Sequence, residues 1–154
     1  MISTPQPSCP QDANSSTPRP EEWQGCALRR TDEVTGAIEA VVAAMSAAGF
    51  PNKDLFAVRL ALEEALVNAL KHGNQHDSTK QAWLRFHVTI ERVLVEVEDE
   101  GTGFDPAEVP DPLEPENLER SCGRGLLLIR TYMSSVRHNQ RGNCITMCRQ
   151  RSQQ

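Results

Sequence analysis

Apolar residues occupy every second position at Val93, Val95 and Val97, and the run closes on Asp99-Glu100-Gly101-Thr102-Gly103-Phe104. A period of two is the pattern of a half-buried strand. The chain must therefore turn directly after Asp99, and glycines two apart let it turn without a Cβ in the way. A carboxylate at a strand end beside a bare glycine turn can accept a hydrogen bond from an exocyclic amine, such as that of adenine. It can equally cap a tight turn and do nothing more.

Alternation also runs over 83–91. Leu84, Phe86, Val88 and Ile90 face one way and Arg85, His87 and Thr89 the other. The two runs predict an antiparallel hairpin across a tight Glu91-Arg92 turn. Upstream the period changes to that of helices. Thr31 is placed to cap a first helix, with Asp32 and Glu33 in its first turn. Val34, Ile38, Val41 or Val42, and Met45 line its apolar face; Gly49 ends it and Pro51 bars continuation. A second helix is predicted over 52–72, with Leu55, Val58, Leu62, Leu66 and Ala69 toward the core. Glu64, Asn68 and Lys71 share the opposite face, where the small Ala57 and Ala61 leave room for a ligand. An edge strand over 23–30, a helix over 123–133, and a hairpin of 136–138 and 144–148 complete the pattern.

The 123–133 helix opens with a second glycine cluster, Gly123-Arg124-Gly125-Leu126. The first N–H groups of a helix lack internal partners, so such a start suits phosphate. Arg120 or Arg124 can add a charge-assisted contact to a terminal phosphate. No Gly-Lys-Ser/Thr follows, so this is not a Walker loop, and the spacing is not that of a Rossmann fingerprint. Asn68 offers a neutral oxygen of the kind Mg²⁺ accepts. Glu64, one turn earlier, can take a proton from an attacking hydroxyl, or can be surface charge. Gly73 interrupts the helix between His72 and His76, which argues against a zinc pair.

The net charge of −5 over 154 residues argues against nucleic acid as the main partner. No run approaches the roughly 20 apolar residues of a membrane span, and residues 1–22 lack the pattern of a secretory signal, so a cytoplasmic protein is expected. Five irregularly spaced cysteines then read as plain thiols. Residues 1–21, rich in Pro, Ser, Gln and Thr, are expected to form a disordered tail. The span 91–119 holds eleven acids against Arg92 alone, and residues 120–154 hold seven arginines and no acid. The basic third is either solvated surface or a face for phosphates or an acidic partner.

Taken in order, these motifs resemble the GHKL ATPase superfamily, the Bergerat fold. They are most similar to its small bacterial branch, the anti-sigma-factor serine-protein kinases of the RsbW and SpoIIAB type. Glu64-Ala65-Leu66-Val67-Asn68-Ala69-Leu70-Lys71-His72-Gly73 resembles the N box, the run from Asp99 to Pro106 the G1 box, and Gly123 to Ile129 the G2 box. The resemblance implies an α/β two-layer sandwich over 22–150, with a left-handed βαβ unit and helices on one face of a mixed, mostly antiparallel sheet. It implies ATP and Mg²⁺ as cofactors, with Asn68 on Mg²⁺ and Asp99 on adenine beside Gly101 and Gly103. Residues 106–122 become an ATP lid. Gly123, Gly125 and Leu126 hold phosphates, Lys71 lies beside them, and Arg120 or Arg124 reaches the terminal one. Glu64 becomes the general base toward a serine or threonine of a STAS-domain anti-anti-sigma protein, with a sigma factor as second partner. Homodimers are common in this branch. The chain departs from the family in a longer tail, in an acidic, proline-rich lid, and in Cys122 standing between Arg120 and Gly123. Two other readings share the fold: a nucleotide-gated switch without transfer, and a detached histidine-kinase catalytic domain, for which no His-bearing helix precedes the motifs.

Overall fold

The computed structural model describes Arg19 and residues 22–101 and 124–153. The tail (Arg19 apart), the lid segment, Gly103, Arg120 and Gly123 lie outside the described residues. In chain order the elements are β1 (Gln24–Leu28), α1 (Val34–Ala47), α2 (Asn52–Asn68), β2 (Ala82–Val88), β3 (Arg92–Asp99), α3 (Arg124–Tyr132), β4 (Ser135–His138) and β5 (Cys144–Gln150). The sheet order is β1-β2-β3-β5-β4, so the first strand is an edge, as its sparse apolar content predicts. Every described pairing is antiparallel. The mixed character expected of the sheet is not found among the described strands, whose neighbours all run antiparallel.

Alternation decides which sheet face carries the core. Leu84, Phe86, Val93, Val95, Val97 and Met147 pack against Ile38, Val41 and Met45 of α1 and Val58, Leu62 and Leu66 of α2. Burial of side chains this size contributes about 1.5–3 kcal/mol each. Ile90 does not join them. It sits at the hairpin corner, 71 % exposed, because the turn spans Thr89 to Arg92, where Thr89 N–H donates to Arg92 O (2.9 Å). Thr31 does not cap α1 either. Residues Thr31–Glu33 form a 3₁₀ turn, and the Glu33 carboxylate accepts from the Arg29 and Arg30 N–H groups (3.0 Å each). The longer Glu33 side chain folds back over the turn to reach both amides with one oxygen. Gly49 closes α1 at φ +85°, as expected of a helix-ending glycine.

The opposite sheet face is less solvated than its polar residues suggest. Arg85 is buried and lies 3.4 Å from Glu96 and 3.2 Å from Glu98, while Thr146 Oγ1 donates to Glu96. Burial pushes the Glu96 carboxyl above its ordinary range despite Arg85. Cys144, expected as a plain thiol, is disulfide-bonded, whereas Cys26 and Cys148 are free. Sequence spacing does not reveal which thiols meet in space.

A buried ion pair closes the far end of the domain. Asp54, in the first turn of α2, is fully buried and accepts from Arg149 Nε (3.0 Å) and Nη2 (2.8 Å), Ser152 N (2.9 Å) and Ser152 Oγ (2.6 Å). Arg149 also donates to Tyr132 O at the end of α3 (2.6 Å), so one guanidinium joins α2, α3 and β5. Burial pushes the Asp54 carboxyl up, but the Ser152 and Arg149 contacts outweigh it and hold it low. That stability is present above the ordinary carboxylate range and is lost as pH falls through the depressed value. Asp54→Ala leaves the Arg149 charge partly buried and unpaired, and is expected to destabilise the fold by about 3 kcal/mol in urea titration at pH 7. A loss under about 1 kcal/mol would show that the pair does not hold the elements together.

Candidate functional site

Four turns of α2 carry the site from its core face to its polar one. Glu64 and Asn68 are half-buried on the side away from Val58, Leu62 and Leu66, as helical spacing predicts. Ala57 and Ala61, expected to leave space for a ligand, are fully buried instead. Helix α3 lies along α2, with Phe56 meeting Tyr132 edge-on at 6.2 Å, so a helix occupies the room that small residues make.

The amino end of α3 is brought onto Glu64 and Asn68. A Cβ on Gly125 would stand 2.6 Å from Glu64 Oε2 and 3.1 Å from Asn68 Nδ2. A side chain there would have to displace the Glu64 carboxylate, so glycine lets the first turn of α3 approach α2 closely. Arg124 is the first residue of this helix, and Leu126 is partly buried against the core.

Directly after Asn68 the helix changes its hydrogen-bond step. Residues Ala69–Gly73 form a π-turn, in which Asn74 N–H donates to Ala69 O (2.8 Å). Such turns shift the phase of the side chains that follow and are frequent at functional sites. Lys71 falls within the turn and is exposed. Gly73 instead comes up against Asp99: a Cβ on Gly73 would overlap the Asp99 carboxylate, and one on Gly101 would overlap Gly73 O.

Asp99, at the end of β3, is held on several sides. Its N–H donates to Asn143 O (2.9 Å), and Asn143 Nδ2 donates back to Asp99 O (2.9 Å). Oδ1 accepts from Gly101 N–H (2.8 Å), and Gly101 O accepts from Arg141 Nη2 (3.1 Å). Burial pushes the Asp99 carboxyl up to about 6, reinforced by Glu98 and opposed by Gly101 N–H, Arg141 and Lys80. Asp99 is thus a half-buried carboxyl with Oδ1 on the Gly101 N–H and both oxygens close against Gly73. Gly73, Asn74, Arg141 and Asn143 were not legible as site residues. The Asn139-to-Asn143 loop reads as hairpin connection, and nothing in its spacing says that it supports a turn 40 residues earlier.

The structure thus joins two glycine contacts through one helix end: Gly125 on Glu64 and Asn68, and Gly73 with Gly101 on Asp99. Among the described residues no cluster of three His, Cys, Asp or Glu could hold a metal ion, and no helix is long and apolar enough to cross a membrane.

The profile of the histidine kinase-like ATPase domain matches residues 28–149. The chain belongs to this family. Its α/β architecture is that of the GHKL ATPases, with both glycine contacts inside the matched span. Within the family the chain is similar to serine-protein kinase RsbW of Listeria innocua (31% identical over 101 residues, 60% of this chain and 62% of that protein). It is also similar to serine-protein kinase RsbW of Bacillus subtilis (30% over 106 residues, 64% and 66%). Anti-sigma F factor of Clostridium perfringens is 33% identical over 88 residues, 54% and 61%. The chain thus matches about three fifths to two thirds of the length of these relatives.

Proposed function

We propose that the chain binds Mg·ATP across the two glycine contacts and transfers the terminal phosphoryl group to a serine or threonine of a STAS-domain anti-anti-sigma protein. Its second partner is a sigma factor, which it sequesters. The observation that carries this reading is the seat of Gly125 on Glu64 and Asn68, one π-turn from Asp99. A general base, an oxygen ligand, an anion-binding helix start and an amine acceptor then line one continuous path. The names of the relatives support the partner class.

In this reading Asp99 Oδ2 accepts from the 6-amino group of adenine, while Gly101 N–H keeps Oδ1 in place. The first N–H groups of α3 donate to phosphate oxygens, assisted by the helix dipole. Asn68 supplies an amide oxygen to Mg²⁺. Mg²⁺ held there would supply charge neutralisation on the phosphate oxygens. Glu64 accepts the proton of the attacking hydroxyl, and the remainder of catalysis is positioning and electrostatics.

The test is transfer of label from γ-labelled ATP, with Mg²⁺, to STAS-domain proteins encoded by the same genome. Acid-stable label on a serine or threonine, absent when EDTA is added, is the expected result. ATP binding without transfer to any of them would replace this reading with that of a nucleotide-gated switch.

A further inference from the structure

Asn74 follows the π-turn and lies beside the Asp99 turn. Its side chain is 1 % exposed. Its Oδ1 accepts from Glu100 N–H (2.9 Å), the amide between Asp99 and Gly101. Among the hydrogen bonds described, this one joins the α2 side of the site to the Asp99 turn. The turn's other ties come from β5 and its preceding loop, through Asn143 and Arg141, and from Gln81, whose N–H donates to the Glu100 carboxylate. The Asn74 Nδ2 group is buried and finds no acceptor among the described residues. A buried donor without a partner costs about 1–3 kcal/mol. A side chain present only for packing would avoid that loss, so its retention calls for another reason.

We infer that Asn74 is a positioning residue for Asp99: its Oδ1 fixes the Glu100 amide and so sets the direction of the carboxylate relative to α2. With the Glu100 N–H held from the helix side and Gly101 held by Arg141, the turn cannot rotate, and Asp99 Oδ2 stays aimed away from Gly101. The glycine contact alone does not do this, because Gly73 and Gly101 exclude bulk without fixing an angle. The π-turn is what delivers Asn74 to this point. With α-helical phase continued from Asn68, residue 74 would leave the helix at another angle.

This inference rests on the reading of Asp99 as the acceptor of the adenine amine, and the experiment separates the two. Binding of ATP and of purine-riboside triphosphate, which lacks the 6-amino group, is measured by calorimetry on the full chain and on Asn74→Ala and Asn74→Asp. The unmodified chain is expected to prefer ATP by about tenfold or more, the worth of one charge-assisted hydrogen bond. In Asn74→Ala the affinity for ATP drops to that for the amine-free analogue, whose own affinity stays within about threefold of its original value. Asn74→Asp keeps the oxygen that Glu100 N–H needs, so it keeps the preference. Equal loss for both nucleotides in Asn74→Ala, an unchanged preference, or loss of preference in Asn74→Asp each overturns the inference. If the unmodified chain does not distinguish the two nucleotides, the reading of Asp99 itself is wrong. If Asn74→Ala does not fold, Asn74→Asp decides the matter, with the Glu100 amide required to retain slow hydrogen exchange.

Discussion

Asp99→Asn is expected to make the nucleotide-free chain more stable at pH 7 while removing its affinity for ATP. Both effects come from the same oxygen. Burial first of all holds the Asp99 carboxyl up to about 6, so the folded state keeps this proton more tightly than the unfolded chain. Below about pH 4 both states carry the proton and the group contributes no difference. As pH rises toward 6 the unfolded chain releases its proton first, and stability falls until the folded state ionises too. A shift of about two units corresponds to about 3 kcal/mol, and partial solvent access lowers this to about 1–2 kcal/mol. Asparagine has no charge to bury. Urea midpoints of the variant and the unmodified chain should therefore coincide near pH 4 and separate, in favour of the variant, by pH 8. Binding moves the other way. Gly101 N–H occupies Oδ1, so the asparagine amide must place its oxygen there and its NH₂ where Oδ2 was. A donor then faces the adenine amine. ATP affinity should fall by about 100-fold or more by calorimetry. A variant that is less stable at pH 8, or that binds ATP normally, would contradict the assignment of Asp99.

Glu64→Gln should leave ATP bound and stop its transfer. Glutamine has the shape of glutamate and keeps an oxygen near Gly125, so the amino end of α3 keeps its seat. It cannot accept a proton from a hydroxyl. Loss of a positioned general base lowers the rate by about 10²–10⁴-fold. Single-turnover transfer to the STAS-domain protein is the measurement, with ATP affinity expected within about threefold of the original. A variant with normal transfer would assign Glu64 to holding α3 rather than to chemistry. A variant that loses ATP affinity in parallel would make it part of the phosphate seat.

The layers of the fold were open to reading because each follows from a short-range period. The hairpin of β2 and β3 alternates without interruption, which places Asp99 at a strand end, and α2 holds its apolar face from Leu55 to Leu66. Glu64 and Asn68 follow as the polar side of that helix. The misreadings came where long-range contacts override local pattern. Ala57 and Ala61 look like space for a ligand until α3 fills it. The Asp54–Arg149 pair has no local signature, because its partners are 95 residues apart. The π-turn leaves no trace in hydrophobicity, since Ala69 and Leu70 continue the apolar pattern. Asn74, which depends on that turn, is therefore indistinguishable from a loop residue in the sequence. Arg85 faces away from the core as its alternation predicts, yet it is buried beside Glu96 and Glu98.

The central claim is that the Asp99 turn and the amino end of α3 form one nucleotide site through α2. Amide chemical shifts followed by ¹H–¹⁵N NMR during titration with Mg·ATP test this directly. The account predicts that the amides of Gly73, Gly101 and Gly125 all move, with one shared dissociation constant. Movement at Gly73 and Gly101 without Gly125, the reverse, or two different constants would contradict it.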